Sequence, residues 1–133
     1  MKNRKLAVTV GLFASLLLLL TQSVPAQDGI KRTDVQTSDL SIPGREAVQQ
    51  LVELESGVVV AKHTHPGEEV TVVLDGTLLL EVAGKPATTL KSGQGFTVPG
   101  GIVHGVKNTG NGPVKLLATY IVEKGKPLRS PAP

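Results

Sequence analysis

His63, His65 and His104 are the only histidines in this 133-residue chain, and Glu69 lies just beyond the first pair. Imidazole nitrogen and carboxylate oxygen are donors that divalent first-row metals accept, so these four on one centre would suit Mn, Fe, Co, Ni, Cu or Zn. Sites for Ca or Mg are built from oxygen and look different. On a β-strand, side chains two apart leave the same face, so His63 and His65 can share an ion while Thr64 points away. Pro66-Gly67 permits a bend, after which Glu69 can return a carboxylate to the same centre. His104 comes from far along the chain and needs a closed β-structure to arrive, with Pro99 and Gly101 shaping the turn that delivers it. A His-x-His pair alone is common by chance. The case rests on the whole set with its surrounding Gly and Pro residues.

The elements that must position these residues read as strands. Short Val/Leu/Thr-rich runs at 48–54, 58–62, 70–74, 77–82, 88–90, 96–98, 105–108 and 114–122 are punctuated by Gly, Pro and Asn. Most are too short for helices. Asp75-Gly76 marks a hairpin, because both residues tolerate the positive φ of a tight turn. Gly84-Lys85-Pro86 and residues 108–113 act in the same way further on. The expected fold is all-β: a single-domain antiparallel barrel or double-sheet jelly roll over residues 47–123. Residues 27–46 begin with a polar stretch of no clean period and are expected to form an arm against the barrel or a second subunit. Residues 124–133, with Pro127, Pro131 and Pro133, are expected to be a loose tail. Phe96 and Tyr120 are the only aromatics after residue 26, so the core must be aliphatic and a pocket would offer few stacking surfaces.

Residues 1–26 have the layout of a secretory signal. Lys2, Arg4 and Lys5 precede an apolar run at 6–20, and Val24-Pro25-Ala26 suits cleavage after Ala26. The apolar run is shorter than the roughly 20 residues of a spanning helix. The expectation is a periplasmic or secreted protein with no stable membrane insertion after cleavage. Those three basic residues account for the whole excess of 14 Lys+Arg over 11 Asp+Glu, so the processed chain is formally neutral. With no basic cluster or stacking aromatics left, no nucleic-acid partner is expected. The chain has no cysteine, which excludes disulfides and a Cys-His nucleophile, and histidines committed to a metal leave none for a Ser-His pair.

The spacing also resembles a known family. Gly57, His63, His65, Glu69 and Gly76 match the first cupin motif, G-x5-H-x-H-x3-4-E-x6-G. Gly93, Pro99, Gly101, His104 and Asn108 match the second, G-x5-P-x-G-x2-H-x3-N, and residues 77–92 form a short spacer between them. The resemblance spans residues 48–122 and implies a six- to eight-stranded barrel that often dimerises. It implies His63, His65, Glu69 and His104 as ligands of one divalent transition metal. The family spacing and strand parity both select Glu69 over Glu68, which is expected outward or at the rim. Cupins host many chemistries, so two readings stay open. One is a metal-dependent oxidoreductase, dioxygenase-like, or an isomerase, acting on a small oxygen-rich substrate with acid–base help from Glu68, Tyr120 or Lys62. The other is a non-catalytic module binding a metal or small molecule. Exposed strand edges leave room for a homodimer.

Overall fold

Strand β9 (Val114–Glu123) alternates buried with half-buried or exposed side chains along its whole length, as a strand with one face on a core must. The computed structural model describes residues 28–133, so the expected leader, residues 1–26, lies outside the described residues. Nine further strands accompany β9: β1 (Ile30–Asp39), β2 (Arg45–Leu54), β3 (Val59–Thr64), β4 (Gly67–Asp75), β5 (Thr77–Val82), β6 (Thr88–Lys91), β7 (Gly95–Val98), β8 (His104–Asn108) and β10 (Ser130–Pro131). They form two five-stranded sheets, in the orders β1-β2-β9-β4-β7 and β10-β3-β8-β5-β6, and every pairing is antiparallel. No helix occurs among the described residues. The fold is the expected double-sheet jelly roll.

The chain switches sheets at Pro66-Gly67, between β3 and β4. Glycine is required there. A Cβ on Gly67 would run into the Ile121 carbonyl and sit 2.7 Å from Val122 Cα. Asp75-Gly76 does form a tight turn, with Gly76 at φ +90° and no room for a side chain beside Val114. The expected hairpin does not form: β4 and β5 lie in different sheets, so this turn is another switch between them. Between the sheets lies an aliphatic core that includes Leu54, Val73, Leu78, Val114 and Val122, and Tyr120 is its one buried aromatic.

Two segments also differ from the sequence expectation. Within the arm, Ile30–Asp39 is a ten-residue strand, paired along its length to β2 apart from a bulge between Asp34 and Gln36. Its side chains beyond Ile30 are exposed, so backbone pairing rather than an apolar face holds it. The C-terminal segment is docked rather than loose. Ser130 and Pro131 pair with Thr64 and His63, and Leu128 packs on the core.

Candidate functional site

Each sheet supplies one cross-strand pair to the site. His63 on β3 lies opposite His104 on β8, and Glu69 on β4 lies opposite Tyr120 on β9. His65 sits in the connection between β3 and β4. A bulge aims His63. The β3–β8 register moves from Val60↔Val106 to His63↔His104, which puts one extra residue on β3. Ala61 and Lys62 are therefore both exposed, and Val60 and His63 both face inward in spite of opposite parity. From His63 the alternation survives the sheet switch: 63, 65, 67, 69 and 71 are buried, and Glu68 faces solvent.

The four expected residues come together. His63, His65, Glu69 and His104 are all buried and each offers a donor atom, these atoms lying within 4.8 Å of one another. Each histidine Nδ1 lies against a backbone carbonyl: Ala61 for His63 at 2.7 Å, Ile102 for His104 at 2.9 Å, and Leu128 for His65. A carbonyl can only accept, so each Nδ1 carries the hydrogen and donates it. In a neutral ring that leaves the Nε2 lone pair for a shared centre, the usual arrangement behind a metal-ligating histidine. Without a cation, His104 instead needs a second proton on Nε2 to bond Glu69. Thr71 Oγ1 donates to Glu69 Oε1 at 2.7 Å and orients the carboxylate, whose Oε2 lies 2.9 Å from His104 Nε2.

The charges oppose one another. Burial disfavours the Glu69 carboxylate, but the hydrogen bonds from His104 and Thr71 and the nearby His65 ring outweigh it and hold the group well below the usual carboxylate range. Burial likewise works against a charged His104, but the Glu69 hydrogen bond prevails and raises its pKa. His63 is pushed down to about 4, chiefly by burial, and is neutral at ordinary pH. His65 Nε2 is buried with no hydrogen-bond partner, its 3.2 Å approach to Glu69 Oε2 being misaligned. Buried polar atoms are seldom left so. A cation among three Nε2 atoms and Oε2 would satisfy it, so this donor set fits a divalent transition metal.

The cluster lines a cavity of about 500 Å³ walled by Val52, Val60, Val106, Leu116 and Ala118. Tyr120 also lines it, with its ring centroid 4.6 Å from that of His65. Burial and the Glu69 charge push the Tyr120 hydroxyl pKa up, so it stays protonated. Of the three acid–base candidates, only Tyr120 reaches the cavity; Glu68 and Lys62 are exposed and absent from its lining. Several contributors escaped sequence reasoning. Thr71 could have been found, because it lies two residues beyond Glu69 on the same face. The Leu128 carbonyl could not, because a backbone acceptor has no residue signature. Arg32 and Arg129, also in the lining, lie on the arm, for which no strand was expected, and on the tail, which was expected to be loose.

Known proteins share this fold. The structure is similar to an uncharacterized conserved protein with a double-stranded β-helix domain from Klebsiella pneumoniae, with TM-score 0.64 and 22% identity over 80% of this chain and 90% of that one. It is similar to an oxalate oxidase in complex with glycolate, with TM-score 0.64 and 19% identity over 80% of this chain and 56% of that one. At such identities the likeness shows the fold alone. In sequence, 63 residues are 43% identical to germin-like protein subfamily 2 member 1 of Arabidopsis thaliana, covering 44% of this chain and 29% of that protein. The chain thus spans less than a third of that relative's length. The family model described as a cupin domain matches residues 50–120, from within β2 to within β9, and so takes in both histidine motifs. Strand order, motif spacing and family match agree, and the chain belongs to the cupin family.

Proposed function

We propose that this cupin is a metal-dependent enzyme, of dioxygenase-like or related chemistry, acting on a small oxygen-rich molecule outside the cytoplasm. One observation carries the reading: three imidazole Nε2 atoms and a carboxylate meet in the wall of a cavity large enough for a small ligand. Its volume falls within the roughly 300–1,000 Å³ of small-molecule sites. The oxalate oxidase among the similar structures shows only that a protein of this fold can house an oxidative chemistry.

His63, His65, His104 and Glu69 would hold the ion. When bound, it supplies Lewis acidity or, for a redox-active metal, electron transfer to a ligand in the cavity. The rest belongs to the chain. The carbonyls of Ala61, Ile102 and Leu128 fix the rings, and Thr71 holds the carboxylate in place. The aliphatic walls keep water sparse around a bound ligand. Tyr120, protonated and beside His65, can donate a hydrogen bond to a ligand oxygen, and because its hydroxyl stays protonated no phenolate is available to serve as a base.

Oxygen uptake with catechol-like and diketone-like compounds, on Fe-, Mn-, Ni- and Cu-loaded protein, tests the reading. Turnover lost in His63→Ala supports it. Uniform inactivity beside tight ligand binding would replace it with a non-catalytic binding module. For the extracytoplasmic location, the chain recovered from its native compartment is expected to begin at Gln27. An intact Met1 on the accumulated protein would overturn export by cleavage.

A further inference from the structure

Two arginines at the cavity stand without a partner of opposite charge. Arg32 is on β1, opposite Val52 of β2. Directly opposed residues share a face, and Val52 is buried against the core, so Arg32 lies on the inner face of the sheet. Arg129 is on the C-terminal segment between Leu128 and β10, with Nη2 3.4 Å from the Ala61 carbonyl. Both line the cavity. Neither belongs to any ion pair among the described residues. Asp34, two residues beyond Arg32, accepts instead from Gln50 Nε2 at 2.8 Å.

Glu69 is the one acid in the lining, and it is already engaged by His104 and Thr71. The two guanidiniums repel each other: burial first, then the Arg32 charge, works against a charged Arg129. A guanidinium keeps its proton under such pressure. Against the single Glu69 charge, which favours a charged Arg129, the two arginines leave the cavity net positive, and a cation at the histidine cluster would add to it. A planar guanidinium fork matches a carboxylate, which it can bind through two parallel hydrogen bonds. The aliphatic walls of the cavity suit a short carbon chain.

We propose that the ligand is a small aliphatic carboxylic acid bearing a second oxygen function, its carboxylate held by Arg129 and Arg32 and its other oxygens turned toward the His/Glu cluster. This rests on the metal-centre reading for the second oxygen function but not for the carboxylate clamp. Arg32 and Arg129 both lie outside residues 50–120, so ligand choice would be set by the segments that flank the family domain.

Malonate and its neutral diamide serve as probes, titrated calorimetrically into metal-loaded protein whose metal content is measured in every sample. Malonate is expected to bind, the diamide far more weakly. Arg129→Gln and Arg32→Gln are each expected to weaken malonate by at least ~10-fold at unchanged metal content, the loss of one charge-assisted contact. Arg129→Lys, which keeps the charge but not the fork, should recover part of the loss. Equal binding of acid and diamide overturns the clamp, and so does malonate binding that ignores both glutamine variants. The same titrations on chelator-treated protein separate the two readings. An arginine-dependent preference for the acid that persists there supports the clamp even if no metal centre exists. A metal centre without a clamp would bind malonate only when loaded and would be indifferent to both arginines.

Discussion

At the scale of single residues, the site is a set of rings whose protons are already assigned. His63 and His104 occupy equivalent places, each opposite the other across β3 and β8 and each tied through Nδ1 to the carbonyl two residues before it. Their distance in sequence should therefore not matter. His104→Ala is expected to lower metal occupancy as strongly as His63→Ala, read by elemental analysis of the purified proteins. A His104→Ala protein with wild-type metal content would take that ring out of the ligand set. Protonation sets the two apart. In metal-free protein His63 falls from its ordinary 6.5 to about 4, so the unfolded chain takes up its proton first. Its contribution to stability is complete above about pH 6.5 and is lost as pH falls toward 4. Glu69, also lowered, acts in the same direction at more acid pH. His104 is raised and acts oppositely: its contribution is present below 6.5 and fades as pH rises through its folded pKa. Urea midpoints of chelator-treated protein should drop between pH 6.5 and 4, and His63→Gln should flatten that drop. An identical slope in the variant would assign the acid sensitivity elsewhere.

At the scale of elements, what was legible depended on whether a segment buries side chains. Strand β9 carries its period in its sequence, since its buried positions Val114, Leu116, Ala118, Tyr120 and Val122 are all apolar. Strand β4 alternates in burial and not in residue type, with Val70 and Leu74 exposed and Glu69 and Thr71 buried. The Glu69 assignment was legible because parity from His65 survives the switch of sheets. The bulge that turns His63 inward was not, because Ala61 and Lys62 both face outward and nothing in their types marks an extra residue. Strand β1 escaped because it is exposed past Ile30 and is held by the β2 backbone, which leaves no apolar pattern to read. The C-terminal segment escaped because its contribution is the Leu128 carbonyl, which orients His65. That contribution is open to test. Deleting residues 127–133 removes the acceptor for His65 Nδ1, and loss of such an outer partner typically costs ~10- to 100-fold in metal affinity. Competition against a chelator would measure it, and circular dichroism would establish that the sheets persist. Unchanged affinity in the folded, truncated protein would make the segment a bystander to the site.

At the scale of the whole molecule, the site joins the two sheets. His63 and His104 stand on one sheet, Glu69 on the other, and His65 on the link between them. Elsewhere the sheets are held together mainly by packing of an aliphatic core with a single buried aromatic. An ion held by donors from both sheets would bind the folded chain and not the unfolded one, in which β3 and β8 are far apart in sequence. Such binding stabilises by mass action, by ~2.7 kcal/mol when free metal is one hundred times Kd. For a domain of this size that corresponds to a Tm rise of roughly 10–20 °C. Stripping the metal with a chelator should reverse the rise, and adding back a stoichiometric divalent ion should restore it. His63→Ala already lacks one arm of the link, so its Tm should respond little to either treatment. The comparison separates a metal held by donors that only folding brings together from one that binds the unfolded chain equally well, because the second would leave the wild-type Tm unmoved as its metal content fell. A wild-type Tm indifferent to full removal of the ion would mean that the ion does not prefer the folded chain, and so that the four donors do not form the site that holds it.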